Sequence, residues 1–116
     1  MKEINDEMVS RIVARFRGLA DATRIRILLR LQAGECNVTA LSAEIGVAQA
    51  SMSKHLAQLR DLGFIQARRE GTQAFYAIRD PALPQLCQLM CEGGTRHVSE
   101  QHAALGLGRR SRPVKP

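Results

Sequence analysis

Residues 39 to 79 constrain this chain more than any other stretch. They read as two short helices joined by a Gly turn, followed at once by two strands around a Gly-containing tip. Thr39 is placed to cap a helix from Ala40 to Ile45, which Gly46 closes, because Gly accepts the left-handed backbone that ends a helix. A second helix is expected from Gln49 to Leu62, with Gly63 as its stop. Met52, Leu56 and Leu59 form one stripe of it. At about 100° per residue the opposite side presents Ala50, Ser51, Lys54, Ala57, Gln58 and Asp61. Phe64 to Arg69 and Ala74 to Arg79 then read as strands around Glu70-Gly71-Thr72-Gln73. Ile65 and Ala67 alternate in period two, as do Tyr76 and Ile78, so these four are expected to face the core. Asp80-Pro81 ends the second strand.

The flanks are helical. Ile4, Met8, Ile12, Val13 and Phe16 recur three to four apart, which predicts an amphipathic helix over residues 4 to 17, ended by Gly18. A further helix runs from about Asp21 to Leu31, with Ile25, Leu28, Leu29 and Leu31 inside, and Ala33-Gly34 closes it. A last helix starts near Ala82 and keeps helical spacing through Leu83, Leu86, Met90 and Val98. Gly93-Gly94 interrupts it at about 1 kcal/mol per Gly relative to Ala, so it runs on to about Ala104 or kinks there. Residues 106 to 116 hold four basic residues, two Pro and no core pattern, and read as a disordered basic tail. Residues 1 to 105 are read as one domain, the size expected of a chain of 116 residues.

Aromatics are only 3 %, so the core must be aliphatic, and a core this small is often enlarged by dimerisation. No window approaches eighteen apolar residues, so no membrane span is expected, and the first residues lack the apolar run of a signal peptide. The cytoplasm is the expected location, and three cysteines without secretory context are read as free thiols. Seventeen Lys and Arg against eleven Asp and Glu leave a net charge of +6, which points to a polyanionic partner.

In a helix-turn-helix the first helix crosses the DNA backbone, and the N-terminal residues of the second touch base edges in the major groove. Here those residues are Gln49, Ala50, Ser51, Ser53 and Lys54. Gln bonds adenine bidentately, Ser pairs promiscuously, and Lys suits guanine or phosphate. Ala50 is small enough for close backbone approach or for a thymine methyl. His55, at the edge of the buried stripe, is read as a packed histidine or a phosphate contact. On the hairpin, Arg68, Arg69, Thr72 and Gln73 would supply backbone contacts, which give affinity without reading sequence. Nothing suggests an enzyme: there is no Cys-x-x-Cys, no Gly-rich phosphate loop and no Ser/His/Asp grouping.

Three motifs in this order resemble the ArsR/SmtB family of bacterial transcriptional regulators. They are Gly18-Leu-Ala-Asp-Ala-Thr-Arg-Ile-Arg-Ile-Leu, Ala48-Gln-Ala-Ser-Met-Ser-Lys-His-Leu-Ala-Gln-Leu-Arg-Asp-Leu-Gly-Phe-Ile, and Arg68-Arg-Glu-Gly-Thr-Gln-Ala-Phe-Tyr. The resemblance covers roughly residues 8 to 92. It implies a mainly α winged helix-turn-helix: four helices, a β-hairpin and a fifth helix. It also implies a homodimer joined through the first and last helices, which represses transcription from operator DNA until an inducer binds. The family's sensing sites transfer poorly. Where its arsenic and lead sensors carry Cys-Val-Cys, this chain has Cys36-Asn-Val-Thr, with Asn37 and Thr39 at the cysteine positions. Of its zinc ligands only Asp80 has a counterpart, with Ala82, Gly93 and Arg96 at the other positions.

Cys87 and Cys91 remain, four apart and so on one helix face. Two thiolates there suit a soft ion such as As(III), with a third from Cys36 or the second subunit. They also suit a redox switch, although a disulfide within one regular helix is strained because the Cβ vectors diverge. The alternative is that they only pack, free Cys being among the most buried residue types. In that case the chain is a winged-helix module with no inducer site. His97 and His102, five apart around Glu100, fall on different sides of a helix and are read as solvated.

Overall fold

The computed structural model describes residues 3 to 106; the expected tail, from residue 107 onward, lies outside the described residues. These fall into two compact units, one up to Pro81 and one from Ala82. The first holds α1 (Asp6–Leu19), α2 (Ala22–Leu31), β1 (Cys36–Asn37), α3 (Val38–Ile45), α4 (Gln49–Asp61), β2 (Ile65–Glu70) and β3 (Gln73–Ile78). The second is α5 (Leu83–Ala104), which passes through Gly93 and Gly94 as one continuous helix. The architecture of the first unit is a winged helix-turn-helix.

Its core is aliphatic, as the shortage of aromatics requires. Ile27, Leu28, Leu41, Met52, Leu56, Leu59 and Ile65 are fully buried, joined by Leu31 and Phe64. The expected stripe of α4 is therefore the buried one. On α2 the expectation fails in part. Ile27 is buried, Ile25 only half-buried, and Leu29 is 51 % exposed. Ile27, Leu28 and Leu29 are consecutive, so the arginines around them do not tell which of the three turns outward.

Helix starts follow side-chain caps. Asn5, Asp21 and Asn37 each accept a bond from a backbone N–H of the first turn, at 2.9, 3.0 and 2.8 Å. The cap of α3 is thus Asn37 and not Thr39, which lies inside the helix. Its cause is non-local. Cys36 and Asn37 pair with Tyr76 and Phe75 of β3, so the chain enters α3 directly from a strand. The sheet accordingly has three antiparallel strands in the order β1-β3-β2, one more than the hairpin expected from sequence. In the hairpin the register runs from Ile65 opposite Ile78 to Glu70 opposite Gln73. Gly71, with φ of 62°, takes the first of the two turn positions, where a type II′ turn needs positive φ.

Gly18 does not end α1 but lies buried within it. A Cβ built on Gly18 would sit 2.2 Å from Leu62 Cδ1, so the absent side chain admits Leu62 at the end of α4. Arg15 reinforces that junction: Nη1 donates to the Leu62 carbonyl, Nη2 donates to Asp80 (both 2.7 Å), and the guanidinium covers the Phe64 ring at 4.3 Å. Asp80 is thus ion-paired with Arg15.

Candidate nucleic-acid interface

Gly46 closes α3 in the left-handed region, at φ 81°, and Val47 and Ala48 complete the turn into α4. At the far end the Phe64 N–H returns to the Leu59 carbonyl across Gly63, which stops α4 where the strand must begin. The helix is thereby fixed at both ends and by its buried stripe. Its other side carries Gln49, Ala50, Ser51, Ser53 and Lys54, all exposed, followed by exposed Gln58 and Asp61, with Ala57 half-buried. Ala48 provides no side-chain cap, unlike the residues before α1, α2 and α3. The start of α4 therefore combines small exposed side chains with N–H groups that no capping side chain covers, which suits close approach to a polyanion. Gln49 is steered by a long contact from Nε2 to Thr39 Oγ1, at 3.5 Å.

His55 is half-buried on the flank of α4, where Arg24 Nε donates to its Nδ1 at 3.1 Å. Sequence patterning points to His55 but gives no sign of Arg24, which lies 31 residues upstream.

The wing separates two arginines that sequence reading groups together. Arg68 donates to both oxygens of Glu35, donates to Glu70 at 2.8 Å, and stacks over Phe75 at 4.7 Å. These carboxylates push its pKa up, the hydrogen bond to Glu35 being the largest cause. Its partner Glu35 is correspondingly held below the usual carboxylate range. Arg69, one residue on, points to the other face of the strand and takes part in no ion pair among the described residues. Thr72 is exposed in the turn, and Gln73 accepts from Asn37 Nδ2 at 3.2 Å. Asn37 is a residue sequence reading missed: it caps α3 and ties that helix to the wing tip.

The cysteines are distributed differently. Cys36 is 4 % exposed in β1, Cys87 is half-buried on α5, and Cys91 is exposed one turn later. Burial pushes the Cys87 thiol up. His97 and His102 also lie on α5. Among the described residues no three His, Cys, Asp or Glu side chains cluster closely enough to hold a metal ion.

Comparison with known proteins agrees with this geometry. Residues 21–67 match the family model described as bacterial regulatory protein, arsR family. The HTH-type transcriptional regulator KmtR of Mycobacterium tuberculosis is 40 % identical over 81 residues, 70 % of this chain and 62 % of that protein's length. The regulator CmtR of Mycobacterium bovis is 40 % identical over 89 residues, 72 % of this chain and 75 % of the relative. Among solved structures, the homodimeric winged helix-turn-helix DNA-binding domain of a Mycobacterium bovis protein superposes with a TM-score of 0.75 at 28 % identity. That match covers 88 % of this chain and 97 % of the other.

Proposed function

Since this chain belongs to the ArsR family of bacterial regulatory proteins, DNA-binding transcriptional regulators and not enzymes, we propose that it is a homodimeric repressor released from its operator by a thiol-directed inducer. The observation that carries DNA binding is the exposed start of α4, from Gln49 to Lys54, standing on a buried Met52-Leu56-Leu59 stripe beside a wing whose Arg69 has no ion pair among the described residues. In this reading α4 lies in the major groove, where Gln49, Ala50, Ser51, Ser53 and Lys54 meet base edges and His55 meets the backbone. Arg69, Thr72 and Gln73 reach phosphate from the wing, while Arg68 braces the wing through Glu35, Glu70 and Phe75.

Homodimerisation is supported by an apolar stripe on α1 that stays exposed: Val9, Ile12, Val13 and Phe16 are 40 to 59 % accessible. A two-fold dimer sets the distance between two copies of α4, and that distance must match the spacing of the half-sites. An inducer acting on α5 would release DNA by favouring a dimer of different spacing.

The inducer site proposed is Cys87 and Cys91. As(III), another soft ion, or reactive sulfur or an oxidant are the ligands and reagents that fit paired thiols. A metal ion would take a third thiolate from the second subunit, since Cys36 is buried in β1. One observation favours the rival reading of a regulator without a thiol sensor: burial raises the Cys87 pKa and so disfavours its thiolate. The test is a gel shift on the chain's own upstream DNA with arsenite, persulfide or peroxide added, using wild type and Cys87→Ser/Cys91→Ser. Release lost in the variant supports the sensor; release retained, or never seen, leaves the rival reading.

A further inference from the structure

Arg24 holds one fixed position through two acceptors. Its Nε donates to His55 Nδ1 and its Nη1 donates to the Gly18 carbonyl, both at 3.1 Å. Its own backbone N–H is taken by Asp21 Oδ1 at 3.0 Å, and this bond is the largest cause holding the Asp21 carboxyl below its ordinary value. The guanidinium therefore bridges the last turn of α1 and the flank of α4 from the first turn of α2.

The consequence falls on the imidazole. An arginine side chain is always protonated and can only donate, so the ring nitrogen facing it must offer a lone pair. With Nδ1 accepting, the ring carries its N–H on Nε2. Nε2 makes no hydrogen bond among the described residues, and it is not among their buried unpartnered polar atoms, of which Ser42 Oγ is the single example. It is thus an open N–H on the edge of α4, one turn beyond Ser51 and next to the exposed DNA-facing side.

We infer that Arg24 is a positioning residue for DNA binding: it locks His55 in the Nε2–H tautomer and holds that N–H toward a phosphate oxygen of the operator. This rests on the reading of α4 as the groove helix. Arg24 itself needs no contact with DNA. A mobile imidazole would spread its proton over both nitrogens and its ring over several rotamers, and each contact would then cost ordering entropy. With the ring fixed beforehand, the contact forms without that loss.

Two measurements on the full chain test this. Long-range proton–nitrogen NMR of the free protein reads the tautomer directly. The expected result is a single Nε2–H form, and a mixture in Arg24→Leu; a dominant Nδ1–H form in wild type overturns the proposal. Affinity is measured on duplex DNA that the protein itself selects from a random pool. His55→Ala and Arg24→Leu are each expected to weaken binding of the dimer by on the order of a hundredfold, about tenfold for the hydrogen bond to a charged acceptor lost from each subunit. The double variant should be no weaker than either single one, because both remove the same contact. His55→Gln, whose amide N–H can take the place of Nε2–H, should recover part of the loss. Additive losses overturn the role of Arg24, and unchanged binding by His55→Ala overturns the contact. Lys54→Ala separates the two levels: if it weakens binding while His55→Ala does not, the groove helix stands and this inference falls. If Arg24→Leu does not fold, the wild-type tautomer and the two His55 variants still decide.

Discussion

Arg68 and Arg69 are sequence neighbours with opposite surroundings, and salt dependence separates their roles. Each phosphate neutralised by a protein cation contributes about 0.9 to the slope of log affinity against log salt. A homodimer carries two wings, so Arg69→Ala should flatten that slope by about 1.8. From about 50 to about 200 mM salt, wild type should then lose roughly twelvefold more affinity than the variant does. The comparison is the double variant Glu35→Gln/Arg68→Ala, which removes one charge of each sign from a group already tied together in the free protein. Its slope should match wild type. Fluorescence anisotropy of a labelled duplex over a salt series gives both slopes. If the double variant flattens the slope as much as Arg69→Ala, Arg68 touches phosphate and the division of labour across the wing is wrong. If Arg69→Ala leaves the slope unchanged, the wing does not clamp backbone at all.

Three further outcomes follow from the packing and the caps. Leu56→Ala, at a fully buried position of α4, should cost about 2 to 5 kcal/mol in urea unfolding through lost burial and the cavity left behind. Ser42→Ala should be neutral or stabilising by about 1 kcal/mol, since its buried hydroxyl has no hydrogen-bond partner among the described residues; a loss of that size would reveal a bond the hydroxyl does make. Asp21 has a depressed folded pKa, so its contribution is complete above the unfolded value of 3.8 and is lost as pH falls through the lower folded value. Asp21→Asn keeps a capping oxygen but does not titrate, so its urea midpoint should fall less than that of wild type over that acid range.

What could be read in the sequence was what depends on neighbours a few residues apart. The Met52-Leu56-Leu59 stripe, the Gly46 and Gly63 stops and the Gly71 tip all follow from local period and backbone freedom, and each stands where it was expected. The cap of α3 was not legible, because Asn37 gains its place by pairing with Phe75, 38 residues away. The ion pairing of Arg68 was not legible for the same reason: Glu35, its partner, lies 33 residues upstream. Period-two alternation does place Arg68 and Arg69 on opposite faces, and that signal was available. Leu29 fails differently, since Ile27, Leu28 and Leu29 are consecutive and the local pattern does not choose among them until α3 and α4 pack against α2. At the level of chemistry, Cys87 and Cys91 were recognisable as a pair by spacing, whereas the burial that raises the Cys87 pKa belongs to the folded chain.

The bare backbone at Gly18 has a consequence for the assembled regulator. Leu62 occupies the space a side chain would need there, so α1 and the end of α4 stand as near as two backbones with one leucine between them. In a dimer built on the α1 stripe, that nearness becomes part of the ruler that sets one groove-reading helix from the other. A methyl group added at position 18 would move Leu62 or lift α1, and the two copies would double any displacement. The smallest residue in the chain would then act as a gauge block, and a Gly18→Ala protein that still folds should prefer half-sites offset from those that wild type selects.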